Sequence, residues 1–529
     1  MLFTSYGFIA FLAILFAAYF LTPARWQWIT LLVGSYVFYA FAGLDYLVFI
    51  LFTTITAYTV SILMKRAIDK ENSYVSANRE TMSKDERKEF RARAKKKRLR
   101  ILLVGLILNF GVLAVLKYTA FAVSNVNTVM GLFGKNGFNI PSLLLPMGIS
   151  FYTFQTMGYL IDVYRAKTEP ERNPAKLALF VSFFPQLVQG PISRFGDLGA
   201  QLTAPHKFCG KTFAFGLQRI LWGYFKKLVI ADRVLVAMNT MLDVPEEYKG
   251  AYVLLLILLY SVQIYADFTG GIDITIGIAE AMGIKLAENF NRPFSSRSTK
   301  EYWKRWHITM GTWFDDYIFK PTPTTRLMLK LNRALTAKFG RKTAARVIAY
   351  MAMALTWFVT GIWHGAGWNF IVWGMLNCLV IMVSELCEPL YKKFHGKFPR
   401  LTASRGYGYF MSVRTFLLMG VIRSLDCYRD VGLTFSMWGS MLTMSGIGEL
   451  FGGKIFALGL TVSDIVIIFC AVLVVFTVSK ISARSDTREW LYDRPALNWS
   501  LFGLLLVVTL LFGAYGVGYD ASQFIYNQF

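Results

Sequence analysis

An all-α integral membrane protein is the fold class this sequence predicts, and three observations carry that expectation. Of its 529 residues, 55% are hydrophobic and 16% aromatic while only 17% are charged, a balance that soluble domains rarely reach. The apolar residues gather in runs of about 20, the length a helix needs to cross a hydrocarbon core. The formal charge of +24 is concentrated in short connections between those runs, as the positive-inside bias requires, so nucleic acid is set aside as a partner.

The runs fall at roughly 3 to 22, 26 to 43, 44 to 64, 101 to 123, 142 to 162, 250 to 268, 345 to 363, 366 to 385, 407 to 425, 456 to 479 and 499 to 518. A twelfth, 212 to 241, carries Lys226, Lys227, Asp232 and Arg233 in its middle. It reads as two half-helices or as a helix partly in the interface, where long basic chains snorkel. The first run lacks a basic start and a small-residue cleavage site, so it reads as a retained span. Residues 65–100 hold 14 basic against 6 acidic residues, which marks them as a cytoplasmic loop. Counting from that anchor places both termini outside, the C-terminus following Tyr519 and Asp520. It also places the basic stretches 285–343, 386–406 and 480–495 inside. The chain reads as one membrane domain, 1–529, without an internal repeat. Cys209, Cys378, Cys387, Cys427 and Cys470 have no metal or redox spacing and read as small hydrophobes.

Two stretches are unlike ordinary spans or loops. In the first, after YADFTGG, Ser298 and Glu301 have the form of a capping box at a helix start. From there Tyr302, Trp306, Met310, Trp313 and Tyr317 recur at helical spacing, with Trp303, His307, Phe314 and Ile318 alongside and Lys300, Lys304 and Arg305 opposite. The pattern predicts an amphipathic helix that is interfacial or re-entrant. In the second, WFVTGIWHGAGWNFIVWG, His364 sits between two apolar spans, where an ionisable group faces a cavity or a partner. Gly361 and Gly365 allow close helix approach there, and Gly365 with Gly367 permits a break.

Asp267, Asp273 and Glu280 follow an apolar run and read as structural partners for Arg219 or Arg233, with a proton or ion relay as the alternative. His206 and His395 lie in Lys-rich connections without metal-ligand spacing and receive no role. The remaining histidines, His307 and His364, form a candidate acid/base pair, because an imidazole can take a proton from an attacking hydroxyl and return it to a leaving group. The pair requires no metal and no bound cofactor is expected, and without a G-x-S-x-G nucleophile elbow direct transfer fits better than a serine acyl-enzyme.

Four blocks together carry a resemblance: SFFPQLVQGPISR (Ser182 to Arg194), YADFTG followed by AENFNRPF (Tyr265 to Phe294), EYWKRWHITMGTWFDDY (Glu301 to Tyr317) and GIWHGAGWNFIVWG (Gly361 to Gly374). In their order and flanking spans they resemble the membrane-bound O-acyltransferase superfamily, in its bacterial alginate O-acetyltransferase branch. The resemblance implies a ring of about 11–12 tilted helices with re-entrant or interfacial helices around a funnel. It implies an acyl donor, acetyl-CoA, entering from the cytoplasm. A polysaccharide, or a membrane-anchored acetyltransferase partner, would receive the acetyl group outside the bacterial inner membrane. His364 matches the signature histidine, as general base or proton shuttle, and His307 the second histidine, positioning or polarising the acyl group. Asp267, Asn289, Arg292 and Trp306 match positions that support the tunnel. Where relatives carry a Pro-Leu-Gly-Gly type of turn, this chain reads YIFKPTPTTRLM.

Two other functions compete. One is D-alanyl transfer toward teichoic acid within the same superfamily. The other is a non-enzymatic transporter of an acyl carrier or polysaccharide that uses Asp267 and Asp273 as coupling sites.

Overall fold

The computed structural model describes residues 3–483 and 487–515. Among these the chain is helical, with a single isolated bridge between Phe290 and Trp306 and no strand, as befits an all-α integral membrane protein. Its principal helices are α1 (Tyr6–Leu21), α2 (Gln27–Ala40), α3 (Leu47–Ala77), α4 (Lys84–Leu132), α5 (Ile149–Tyr164), α6 (Gly210–Tyr224), α7 (Asp232–Asp243), α8 (Ala251–Ala281), α9 (Thr299–Arg305), α10 (Ile308–Phe314), α11 (Arg341–His364), α12 (Trp368–Leu386), α13 (Arg405–Tyr428), α14 (Val462–Ile481) and α15 (Pro495–Phe512). Among the described residues seven, α3, α4, α8, α11, α12, α14 and α15, are long and apolar enough to cross a membrane.

The remaining expected runs are helices of another kind. Those at 3–22, 26–43 and 142–162 are trimmed to 16, 14 and 16 residues, the first ending before Pro23 and the second before Gly43. The run at 407–425 becomes the 24-residue α13, which carries Arg405, Arg414, Arg423 and Asp426. The end of the last expected run and the C-terminus after Tyr519 lie outside the described residues, as do three positions of the 480–495 stretch.

Contacts divide the chain into two compact units, Met1–Gly216 with Ile278–Ala287, and Leu217–Gly277 with Glu288–Phe529. In the first, the basic stretch 65–100 is helical on both sides of a turn at 78–83. It forms the end of α3 and the start of α4, which opens with a full Ser83/Glu86 capping box. Tyr74 stacks on Phe90 at 4.5 Å and Arg98 pairs with Glu71 at 3.2 Å, so the two helices stay packed well beyond their apolar parts. The block SFFPQLVQGPISR is buried as far as Ser193. Its Phe184 meets Phe11 and Phe38, each at 5.4 Å, and Gln186 Nε2 donates to the Pro191 carbonyl at 2.8 Å. His206 also belongs to this unit and is tied structurally, through Tyr19 Oη at 3.0 Å and the Gln27 amide.

In the second unit the expected twelfth run, 212–241, is one helical passage. α6 continues through a π turn, Phe225–Ala231, directly into α7. Lys226 and Lys227 do not snorkel, because both are buried in ion pairs. What brings those pairs together is a backbone contact between α6 and α8. A Cβ on Gly223 would stand 2.5 Å from the Gly270 carbonyl, and one on Gly270 would stand 2.9 Å from the Gly223 carbonyl. Gly223→Ala is therefore expected to push the helices apart and cost about 1–3 kcal/mol, visible as a lower melting temperature of the purified protein.

Candidate functional site

The helix expected from Ser298 starts as its sequence says and then breaks. Ser298 Oγ accepts the Glu301 N–H at 3.2 Å, while the Glu301 carboxylate caps the N–H of Arg297 at 2.8 Å instead of returning to Ser298. α9 ends at Arg305, and His307 takes a left-handed conformation, φ 48° and ψ 54°, before α10 begins. Such backbone costs a non-glycine residue about 1–3 kcal/mol, so something must hold it. The segment AENFNRPF does: the Asn291 N–H donates to the Arg305 carbonyl at 2.9 Å and the Ile308 N–H to the Asn289 carbonyl at 3.0 Å. The aromatic periodicity that reads as one amphipathic helix is thus two short helices hinged at the histidine. Further on, PTPTT forms a 3-10 turn, with Thr325 capping the next helix, Arg326–Phe339.

His307 is fully buried. Its Nδ1 lies 3.2 Å from Asn289 Oδ1, which also accepts the Thr309 N–H and hydroxyl, each at 3.0 Å. A backbone N–H can only donate, so the Asn289 atom it meets is the carbonyl oxygen, and His307 must present Nδ1–H to it. The basic lone pair of the ring is therefore on Nε2. Phe268 packs edge-on against this ring at 4.9 Å, and burial pushes the imidazole down to about 3. A histidine in the unfolded chain takes its proton near pH 6.5. The unfolded state thus binds more protons below that pH, and stability should fall as pH drops from about 6.5 toward about 3. His307→Gln is expected to lose less melting temperature than the intact protein between about pH 7.5 and 5.

His364 is half-buried at the last position of α11, where Gly365 and Gly367 adopt extended backbone before α12. The α11–α12 hairpin is close: a Cβ on Gly361 would stand 2.5 Å from the Phe370 carbonyl, and one on Gly374 would stand 2.5 Å from that of Trp357. On Gly365 it would strike the Phe370 ring at 2.0 Å. The His364 ring sits 4.6 Å from Trp373 and 4.9 Å from Trp363, and Trp363 in turn lies 5.9 Å from the His307 ring. One indole therefore contacts both histidines.

The supporting residues have separable places. Five residues of YADFTGG have distinct contacts. Tyr265 packs on Phe294 at 5.0 Å and Asp267 pairs with Lys227 at 2.6 Å. Phe268 covers His307, Thr269 accepts from Lys226 at 2.8 Å, and Gly270 admits α6. Asp273 pairs with Arg219 as expected, whereas Arg233 pairs with Asp464. Trp306 lies beneath the buried Arg423, whose guanidinium is 3.9 Å from the ring centre and donates to Tyr302 Oη at 2.7 Å. Arg292 hydrogen-bonds its neighbour Asn291 at 3.3 Å, from a left-handed turn before Pro293. The sequence alone assigns no role to Thr309, Trp363 or Arg423 and reads Lys227 as a snorkelling cation rather than the partner of Asp267. The available signals are a tryptophan beside His364 and cations inside otherwise apolar runs.

A family model described as MBOAT, membrane-bound O-acyltransferase family, matches residues 172–421, a span that contains all four blocks. The chain is 35% identical over 375 residues to "Probable alginate O-acetylase AlgI" of Azotobacter vinelandii, covering 71% of this chain and 66% of that relative. It is 30% identical over 429 residues to "Peptidoglycan O-acetyltransferase" of Helicobacter pylori, covering 74% and 72%. With "Teichoic acid D-alanyltransferase" of Bacillus subtilis it shares 26% over 266 residues, 50% of this chain and 64% of the relative. The match to the alginate O-acetylase spans just under two thirds of that relative's length. Motifs, fold and relatives agree: this chain belongs to the membrane-bound O-acyltransferase family.

Proposed function

We propose that this protein is an O-acyltransferase that moves an acetyl group from acetyl-CoA on the cytoplasmic side of the bacterial inner membrane toward a polysaccharide outside. In this reading a membrane-anchored acetyltransferase is the candidate partner on the outer side, and the basic stretch 65–100 faces the cytoplasm. The observation that carries the proposal is the shared contact of His307 and His364 with Trp363. The acceptor hydroxyl oxygen attacks the thioester carbonyl carbon as His364 takes the hydroxyl proton. Collapse of the adduct breaks the C–S bond, and the imidazolium returns the proton to the thiolate, leaving an acetyl ester and a free thiol. His307, with Nδ1–H committed to Asn289, offers Nε2 as a hydrogen-bond acceptor. It suits positioning an N–H or O–H of a reactant and not polarising a carbonyl, which needs a donor.

The test is the O-acetyl content of surface and secreted polysaccharide in cells that lack the protein, with and without the intact chain restored. Acetyl ester that returns with the chain supports the proposal; polysaccharide equally acetylated in both strains contradicts it.

A further inference from the structure

Arg219 on α6 uses its whole guanidinium. Nη1 and Nη2 grip the two Glu288 carboxylate oxygens at 2.7 and 2.6 Å, and Nε donates to Asp273 Oδ1 at 3.0 Å. Lys226 holds the other Asp273 oxygen and Thr269 Oγ1, so charges alternate along Lys226, Asp273, Arg219 and Glu288. The next residue after Glu288 is Asn289, the one whose oxygen fixes the His307 tautomer. Arg219 is largely buried, whereas the Glu288 side chain is 60% exposed, so the guanidinium is the fixed end and Glu288 the part held. We propose that Arg219 is a positioning residue for His307, acting through Glu288 and Asn289; this rests on the reading that His307 takes part in acyl transfer. Lysine cannot substitute fully, because a single ammonium lacks the planar fork that serves both carboxylates at once.

Two readouts test this, and one needs no activity. The chain has four histidines, so 15N-histidine spectra of the purified protein in lipid can be assigned with His→Gln variants. In the intact protein His307 should show the Nδ1–H tautomer. In Arg219→Gln its signal should shift to a tautomer mixture while those of His206, His364 and His395 stay put, and Arg219→Lys should fall between. In acetyl transfer, Arg219→Gln should lower kcat about tenfold at unchanged KM, and cost nothing further once Asn289→Ala is present. Should Arg219→Gln not fold, Glu288→Gln, which leaves the Arg219–Asp273 pair intact, carries the same two tests. An unchanged His307 signal, or the same loss of kcat with and without Asn289→Ala, would overturn the proposal and leave Arg219 as a fold-stabilising residue only. Absence of acetyl transfer by the intact protein would instead strike the functional reading, with the spectra still deciding the positioning role.

Discussion

Lys227→Met is expected to leave little folded protein. Lys227 is wholly buried between Asp267 at 2.6 Å and Asp232 at 2.7 Å, both also buried. Removing the cation would leave two carboxylates facing each other away from water, and breaking a buried pair in this way costs about 3–5 kcal/mol. Asp267→Asn should be milder, since Lys227 keeps Asp232. The measurement is the melting temperature and monodisperse yield of the two variants beside the intact protein. The order matters for function, because a transporter that used Asp267 as its coupling site would lose activity with Asp267→Asn while keeping its fold.

His364→Ala is expected to slow acetyl transfer about 100- to 10,000-fold with donor affinity nearly unchanged, the range for loss of a general base. His307→Ala should also be severe. The double variant should be little worse than the poorer single one, since the two side chains serve one step against one indole. Steady-state kinetics with labelled acetyl-CoA, together with an independent donor-binding measurement, check both statements.

Much of this was legible in the sequence. The apolar runs announce a membrane protein, and the four blocks mark the family and the two histidines. What could not be read is tertiary. The aromatic spacing across Tyr302, Trp306, Met310 and Trp313 is consistent with an unbroken helix, and only pairing with Asn289 and Asn291 turns His307 into a left-handed hinge. Lys226 and Lys227 look like snorkelling cations because their partners, Asp273 and Asp267, are separated from them by 47 and 40 residues. The charge of 65–100 marks it as a connection between spans but says nothing against helix, since Lys, Arg and Glu are good helix formers, and the Ser83/Glu86 capping box is legible as S-x-x-E. Trp363, adjacent to His364 in the sequence, carries no sign there that its ring is what the two histidines share.

Chemistry, rather than passage of an intact carrier, should depend on these histidines. The direct measurement uses sealed proteoliposomes with labelled acetyl-CoA on the side of residues 65–100 and the acceptor polysaccharide, with any required partner, on the other. The intact protein should build labelled acetyl ester on the acceptor, and His364→Ala, equally well folded, should build almost none. Undiminished ester formation by His364→Ala, or label crossing only as intact thioester, would contradict the account.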